Sequence, residues 1–478
     1  MSRYLVRVSG EIALKGSRRK LLEKILIENL ESLVRECGNV RKIDSGRILV
    51  EGCSDISESI ARVFGVHEVL EVDVIDFKNL EELSSFIGER FSGIIPGKRF
   101  AVRVRRIGSH SFTSIDVARI VGEALRRYGG LVDLEKPEIE VYVEIRGEKA
   151  FIYSSGRRVR GFGGLPLRSS ENILLLFSGG FDSTVSAWLL MRRGSPVDLL
   201  YFKMGTLETM KRSLEVAEEL LRRWSIGYNA RVFIADIAET IREIRRKIKP
   251  AYWQISLKRS MYLIASEIAK KFGYKSIATG ESIWEANSQT ISNLIASSKN
   301  LDIMILRPVI GLSKDDIIRI SREIGLYEKC ERVPETCWLG SYVPVKVDEK
   351  SFLEEFNKLD QEIFRRTTEK IVEVNIYGDW REEIEKLYQG DIEIDRIPED
   401  AVLIDITRKY VGKEIKGFRI YDLSMIEKFR DKPIILLCER GELSHVLAQE
   451  FRREGYRIYS LRGGFKILFG DSASEQDL

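Results

Sequence analysis

Three histidines in 478 residues, five cysteines and no C-x-x-C pair leave little from which to build a zinc site. The cysteines (Cys37, Cys53, Cys330, Cys337 and Cys438) are too few and too scattered for a secreted disulfide framework. Cys37 and Cys53 read as structural, and any functional cysteine is expected to act as a thiol. No apolar run approaches the ~20 residues that span a bilayer. The opening "MSRYLVRVSG" lacks the apolar centre of a signal peptide, so a cytoplasmic protein with no membrane partner is expected. Neither sign of charge dominates, because 77 Lys and Arg against 73 Asp and Glu give a net charge of +4. A nucleic-acid surface would therefore have to be local. Low-complexity tracts and internal repeats are also missing, and with 44% hydrophobic and 31% charged residues the composition is globular. The length implies three or four domains. A Walker A loop, G-x-x-x-x-G-K-[ST], is absent.

What is present is α/β patterning. Residues 3–9 alternate as a strand, 18–37 repeat as a helix, and "RILVEG" at 47–52 is a second strand. A helix follows at 56–64, a strand near 67–75, a helix at 79–91, the strand "KRFAVRVRRI" and a helix at 114–128. Strands 138–145 and 149–154 flank the turn "RGEK" as a hairpin. From 171 onward the apolar strands "ILLLF", "VDLLYF", "ARVFIAD", "KSIATG" and "DIMILRP" alternate with helices, which is the pattern of a doubly wound, mostly parallel sheet. Residues 350–390 are polar and charged and read as a helical connector. A second α/β pattern runs from "AVLIDI" through "PIILLCERGELS" and "RIYSLRGG" to a tail, "GDSASEQDL", expected to fray.

The chemistry concentrates in "LLLFSGGFDSTVSAWLL", residues 174–190, where a strand meets a glycine turn and then a helix. That geometry points backbone N–H groups at an anion. Gly179 and Gly180 permit close approach, Ser178 and Ser183 add hydroxyls, and Asp182 can hold Mg²⁺. A bare glycine turn joining strand to helix is the bland alternative. "IATGESIWEANSQT" and "LRPVIGLSKDDI" also follow strands, at the carboxyl edge where such sheets bind ligands. Lys314 could supply the positive charge the glycine loop lacks, although alone it reads as a solvated lysine at a helix start. Lys258 alone also reads as surface.

The S-G-G-x-D-S motif resembles that of PP-loop ATP pyrophosphatases, which bind the pyrophosphate of ATP. Over nearly its whole length the chain resembles the tRNA 4-thiouridine synthetase (tRNA uracil 4-sulfurtransferase) family. "GEIALKG" is similar to that family's ferredoxin-like domain, while "SFTSIDVARIVGEAL" and "GFGGLP" are similar to its THUMP RNA-binding domain and the exit from it. "TGESIWEANSQT", "MILRP" and "PETCWLG" are similar to its PP-loop domain. The resemblance implies five segments: ferredoxin-like 1–53, THUMP 54–168, PP-loop 169–347, a charged helical linker 348–394 and a rhodanese-like α/β domain 395–478. It implies ATP contacts at Leu176, Phe177, Tyr201, Phe202, Lys258, Gly280 and Gln289, with Asp182 and Lys314 assisting adenylation. The implied reaction moves persulfide sulfur to uridine 8 of tRNA through an adenylated uracil, giving 4-thiouridine. ATP and Mg²⁺ would be required, a cysteine desulfurase or other persulfide donor would supply sulfur, and the protein would be a homodimer. A thiamine sulfur-carrier protein is a further implied partner.

Charge patterning supports an RNA surface. Alternation in "KRFAVRVRR" puts Phe100, Val102 and Val104 on one face and Arg99, Arg103 and Arg105 on the other. "GRRVRGFGGLPLR" adds Arg157, Arg158, Arg160 and Arg168 without an acid in the segment. Solvated strand faces are the plainer reading of such arginines.

In "LLCERGELS", Cys438 follows a buried-looking strand and precedes a helix. A Cys-x-x-Gly-x-x-Ser loop curls N–H groups around the sulfur and favours a thiolate or persulfide anion. The loop is similar to that of rhodaneses, with Asp405 and "LRGG" in fitting positions; Leu443 stands where many rhodaneses have Arg. In the family a cysteine placed like Cys337 forms a disulfide with the rhodanese cysteine, and Cys330 is its rival. Other readings stay open: a tRNA-binding protein with a vestigial nucleotide site, a rhodanese-type sulfur carrier for thiamine synthesis alone, and a PP-loop amidotransferase.

Overall fold

The computed structural model describes residues 2–334, 343–388 and 392–469. It divides into two compact units, Met1–Ser170 with Arg192–Gly194 and Ile226–Tyr228, and Glu171–Met191 with Ser195–Ser225 and Asn229–Leu478.

The first unit holds two five-stranded sheets. One is antiparallel, in the order Arg158–Arg160, Val66–Glu71, Ser2–Val8, Arg47–Gly52, Asn39–Asp44. Tyr4 and Val6 pack under helix Arg19–Val34, against Leu22, Leu26 and Leu30. Leu5, Leu49 and Leu70 on the other face pack with Phe151 and Tyr153 of the second sheet. The second sheet runs Asp73–Asp76, Lys149–Ser154, Ile139–Arg146, Arg99–Ile107, Leu131–Val132, with the expected hairpin between Ile139–Arg146 and Lys149–Ser154. Helices Leu80–Phe91 and Ser114–Arg127 cover it. Asn79 caps the first by accepting from Glu82 N, and Thr113 with Asp116 forms a capping box on the second.

Three features of this unit depart from the sequence reading. The single strand expected at 67–75 is two, Val66–Glu71 and Asp73–Asp76, in different sheets. Strand Asn39–Asp44 escaped notice because its polar sequence, NVRKID, lies along an exposed sheet edge. Cys37 and Cys53, read as structural, are joined in a disulfide that the reading did not foresee, with Cα atoms 5.7 Å apart.

The second unit carries the expected doubly wound sheet. Its order is Met304–Leu306, Ser276–Ala278, Ile173–Leu176, Val197–Lys203, Val232–Asp236, Val372–Val374; the first five are parallel and the last is antiparallel. Ile173–Leu176 and Val197–Lys203 are buried at every position, as strands covered on both faces must be. From Ile173–Leu176 the chain builds outward through Val197–Lys203 and Val232–Asp236, then returns to Ser276–Ala278 on the other side. That reversal opens a crevice at the carboxyl ends of Ile173–Leu176 and Ser276–Ala278.

The stretch expected as a charged linker has helices Glu349–Phe356, Glu362–Glu369 and Trp380–Glu385, and also supplies the antiparallel edge strand. Phe352, Phe356, Ile363, Phe364 and Trp380 are buried. Its charges are the exposed faces of packed helices, so it is part of the core and not a loose tether. Beyond it lies a second α/β sheet, in the order Glu393–Ile394, Ile458–Leu461, Ile434–Leu437, Val402–Asp405, Phe418–Asp422, Glu414–Ile415. Its Val446 and Leu447 share one hydrophobic cluster with Ile241, Ile244 and Trp253. The tail at 470–478 lies outside the described residues. No helix among the described residues is long and apolar enough to cross a membrane.

Candidate functional site

The glycine turn sits at the crevice. Leu176 ends the buried strand and Phe177 follows it, and helix Phe181–Arg192 opens with Asp182 in its first turn. Gly179 has φ +82°, and a Cβ there would lie 2.7 Å from Ser213 Cα, so no other residue fits without backbone movement. Ser183 Oγ donates to Gly180 O at 3.1 Å and receives Ser178 N–H at 3.3 Å. Ser213, on helix Leu207–Trp224, donates its hydroxyl to Ser178 O at 2.8 Å. Gly280 lies on the first turn of helix Phe181–Arg192, where an added Cβ would be 2.6 Å from Ser183 N.

Lys314, the first residue of helix Lys314–Glu323, reaches back to this turn. Its ammonium lies 3.1 Å from Asp182 Oδ2 and 2.9 Å from Glu285 Oε1, so it is paired and not merely solvated. Burial disfavours the Lys314 charge, but Glu285 and Asp182 outweigh it and raise the pKa. Burial raises the Asp182 carboxyl above its ordinary value, against the pull of Lys314.

Behind the crevice lies a charged cluster around Glu281. Lys258 Nζ is 2.6 Å from Glu281 Oε1, Arg307 Nε is 2.8 Å from Oε2, and the Tyr262 and Thr279 hydroxyls donate at 2.6 and 2.9 Å. Burial alone would push this carboxyl up; Lys258 and Arg307 outweigh burial and bring it down to about 2. Gln289 Oε1 accepts from Ser282 N at 2.9 Å, shaping the same loop. Tyr201 and Phe202 stand on the neighbouring strand, Val197–Lys203, with their side chains buried. The structure thus gathers Ser178, Gly179, Gly180, Asp182, Ser183, Gly280 and Lys314 around one turn. Glu281, Glu285, Arg307, Tyr262 and Ser213, which the sequence reading missed, contact these residues or Lys258 directly or through Glu281. The "GES" that follows an apolar strand was the available signal for Glu281.

In the C-terminal sheet, Cys438 follows strand Ile434–Leu437, and Ser444 of helix Glu442–Arg453 donates N–H to its sulfur at 3.4 Å. Cys438 is 5% exposed. Burial raises its thiol above the usual value, outweighing the Ser444, Gly441 and Arg440 contacts that favour the anion. The expected thiolate is therefore disfavoured in this conformation. Asp405 organises its own turn by accepting from Thr407 N, Thr407 Oγ1 and Tyr410 N. Phe465 N, just after the "LRGG" turn, donates to Cys438 O at 2.9 Å. Arg245, from helix Ala238–Lys247, places its guanidinium 4.0 Å over the Trp253 ring. Burial and Arg408 lower its pKa to about 9, partly countered by Asp405, Asp422 and Cys438. Cys330 is buried, donates to Thr184 Oγ1 at 3.5 Å, and has its thiol pushed up to about 11 by burial. Cys337 lies outside the described residues.

The arginines are less free than their sequence neighbourhood implied. Arg103 pairs with Glu140 at 2.9 Å, Arg99 with Asp133 and Glu138 at 3.5 and 3.7 Å, and Arg158 with Glu68 at 2.5 Å. Arg157 has only longer contacts, 4.0 and 3.8 Å, to Glu71 and Asp73. Arg168, at the end of the acid-free segment 156–168, pairs with Glu28 at 3.0 Å. The neutralising acids arrive from other strands and helices. Arg105 and Arg160 are exposed and form no ion pair among the described residues. No group of three or more His, Cys, Asp or Glu among the described residues could hold a metal ion.

Comparison with known proteins covers all these parts. The family described as ThiI ferredoxin-like domain matches residues 3–69, the THUMP domain family residues 77–155, and the family described as Thiamine biosynthesis protein (ThiI) residues 168–364. A tRNA sulfurtransferase from Desulfurococcus amylolyticus is 40% identical over 476 residues, covering 97% of this chain and 98% of that protein. One from Pyrobaculum aerophilum is 39% identical over 477 residues, covering 97% of each. A crystal structure of a 4-thiouridine synthetase–RNA complex with bound ATP shares the fold with a TM-score of 0.70, at 24% identity, over 78% of this chain and 99% of that one.

Proposed function

The chain belongs to the tRNA sulfurtransferase family, and from that premise we propose that it uses ATP to move persulfide sulfur onto uridine 8 of tRNA, making 4-thiouridine. The observation that carries the reading is the Asp182–Lys314 pair beside the Ser178–Ser183 turn, at the crevice of a parallel sheet. Backbone N–H groups and Lys314 bind the pyrophosphate end of ATP, and Leu176, Phe177, Tyr201, Phe202, Lys258, Gly280 and Gln289 shape the rest of its site. Asp182 and Glu285, the two carboxylates that share Lys314, would hold Mg²⁺, an ion that takes one or two carboxylates together with substrate phosphates and would supply charge neutralisation there. Uracil O4 is a poor leaving group; adenylation turns it into AMP, a good one.

Cys438 carries the sulfur as a persulfide received from a cysteine desulfurase or a similar donor, in a domain of rhodanese type. The terminal sulfur attacks C4 and the C4–O bond to AMP breaks. The Cys337 thiolate then attacks Cys438 Sγ, the old S–S bond breaks with sulfur left on C4, and a Cys337–Cys438 disulfide remains for a reductant to open. Cys330 is a poor rival because its buried thiol is held far from ionisation at neutral pH. Phosphates of tRNA meet Arg105 and Arg160 first; Arg99, Arg103, Arg157 and Arg158 can join only by giving up acidic partners. The protein works as a cytoplasmic homodimer. Transfer of sulfur to the thiazole sulfur-carrier protein is a second role suggested by the family's thiamine description. Loss of thiamine-auxotroph rescue in Cys438→Ser tests it. The main reading is tested by tRNA-dependent release of AMP from ATP: release in wild type and none in Asp182→Ala is expected, and release undiminished in the variant overturns it.

A further inference from the structure

One helix touches both candidate loops. Leu207–Trp224 begins at Thr206, whose side chain caps it by accepting from Thr209 N. The same N-terminus is held by Glu442, which follows the cysteine turn: Thr206 N donates to Glu442 Oε2 at 2.7 Å and Thr209 Oγ1 donates to Oε1 at 2.9 Å. Glu442 is also the first residue of its own helix, Glu442–Arg453, so a single carboxylate sits at two helix N-termini, where negative charge is favoured. Tyr388 closes the contact by donating to Gly205 O at 3.0 Å. Less than two turns along the first helix, Ser213 holds Ser178 O at 2.8 Å and lies so close to Gly179 that a Cβ would not fit.

This arrangement has a chemical consequence. Cys438 is four residues before Glu442 and is buried while that contact is made. A sulfur must be exposed to be loaded by another protein and to reach a base, and a swing of the cysteine turn that exposes it would break the Glu442 contact.

We propose that Glu442 is a positioning residue that holds the cysteine turn closed on helix Leu207–Trp224, and that this helix carries nucleotide occupancy from Ser178 and Gly179 to that hold. The proposal rests on the reading of Cys438 as sulfur carrier. When pyrophosphate fills the glycine turn, a shift of Ser178 O or Gly179 is felt at Ser213, which donates to Ser178 O and whose backbone packs on Gly179. Any preference of ATP for one position of the helix then biases the Glu442 contact, and by reciprocity the contact biases ATP affinity.

The experiment reads the alkylation rate of Cys438 in the full-length protein, by mass spectrometry of its peptide after exposure to iodoacetamide, with and without MgATP. Glu442→Ala should react about tenfold faster than wild type, since a lost hydrogen bond to a charged group corresponds to roughly a tenfold shift in opening. Glu442→Gln, which keeps an acceptor for Thr206 N, should fall between the two, and Thr209→Val should too. MgATP should change the wild-type rate about fivefold or more, the low end of ordinary site-to-site coupling, and that change should vanish in Glu442→Ala and in Ser213→Ala. Alkylation of Glu442→Ala at the wild-type rate overturns the hold. A wild-type rate indifferent to MgATP, or an ATP effect that survives both substitutions, overturns the relay. If the sulfur-carrier reading itself is wrong, Cys438→Ser will still thiolate tRNA, an outcome these alkylation rates do not depend on.

Discussion

Glu281→Gln removes the negative centre of the cluster behind the glycine turn and leaves Lys258 and Arg307 half-buried without their counter-charge. Deleting one partner of a buried pair costs about 3–5 kcal/mol. The carboxyl itself gives an independent figure. It lies near 2 in the fold against an ordinary value of 4.5, a difference worth about 3 kcal/mol at neutral pH. Because the folded value is depressed, this stability is complete above 4.5 and drains away as the pH falls toward 2. The gap between wild type and Glu281→Gln should thus be about 3 kcal/mol at pH 7 and should narrow by about 2 kcal/mol by pH 3. All six tryptophans lie between residues 188 and 380, so tryptophan fluorescence during urea unfolding reports on the second unit alone. ATP affinity should fall as well, since Lys258 loses its anchor. A gap below about 0.5 kcal/mol, the range of ordinary surface changes, or one that does not shrink with acid, refutes the reasoning.

Gly280→Ala should lower ATP binding and AMP formation even though it adds one methyl, because that methyl meets the Ser183 backbone; an unchanged Kd for ATP measured by titration calorimetry contradicts this. Neutralising Arg105 and Arg160 should reduce the salt slope of tRNA binding by about one per lost phosphate contact. Neutralising Arg103 and Arg158 should reduce it less, because each already has an acidic partner, and equal effects would show that those pairs open on binding. Cys438→Ser should stop thiolation while AMP formation persists, whereas Cys337→Ser should keep persulfide loading and lose turnover. Peptide mapping after one cycle without reductant should find Cys337 joined to Cys438, and finding Cys330 there reassigns the resolving role. Breaking Cys37–Cys53 by Cys53→Ala should cost the first unit about 3 kcal/mol from its short loop, read as an earlier urea transition; an unmoved transition denies the bond a stabilising part.

What the sequence made legible follows from where the signal is local. The turn at Ser178–Ser183 is written in consecutive residues between a buried strand and a helix, and the parallel sheet in runs of apolar residues. Lys314 was assigned to the loop that carries Asp182, 132 residues away along the chain, but its second partner, Glu285, was not found. The Glu281 cluster draws on helix Trp253–Phe272, its own loop and the loop carrying Arg307, so no window contains it. The arginine runs were read as unopposed because their acids lie across strands. The 348–394 stretch misled through its charge: Phe352, Phe356, Phe364 and Trp380 are spaced so that a few aromatic side chains bury helices otherwise covered in acids and bases. The Cys37–Cys53 bond could not be read from spacing, since strand Asn39–Asp44, which brings its ends together, was itself unseen.

The central claim is chemical, and one measurement meets it directly. Unmodified tRNA would be incubated with the full-length protein, ATP, Mg²⁺ and a persulfide donor, then digested and its nucleosides resolved by mass spectrometry. The account predicts that one uridine, at position 8, has exchanged oxygen for sulfur, only when ATP is present and only with Cys438 intact. A tRNA whose uridines all remain unsulfurated, or one thiolated equally well without ATP, contradicts it.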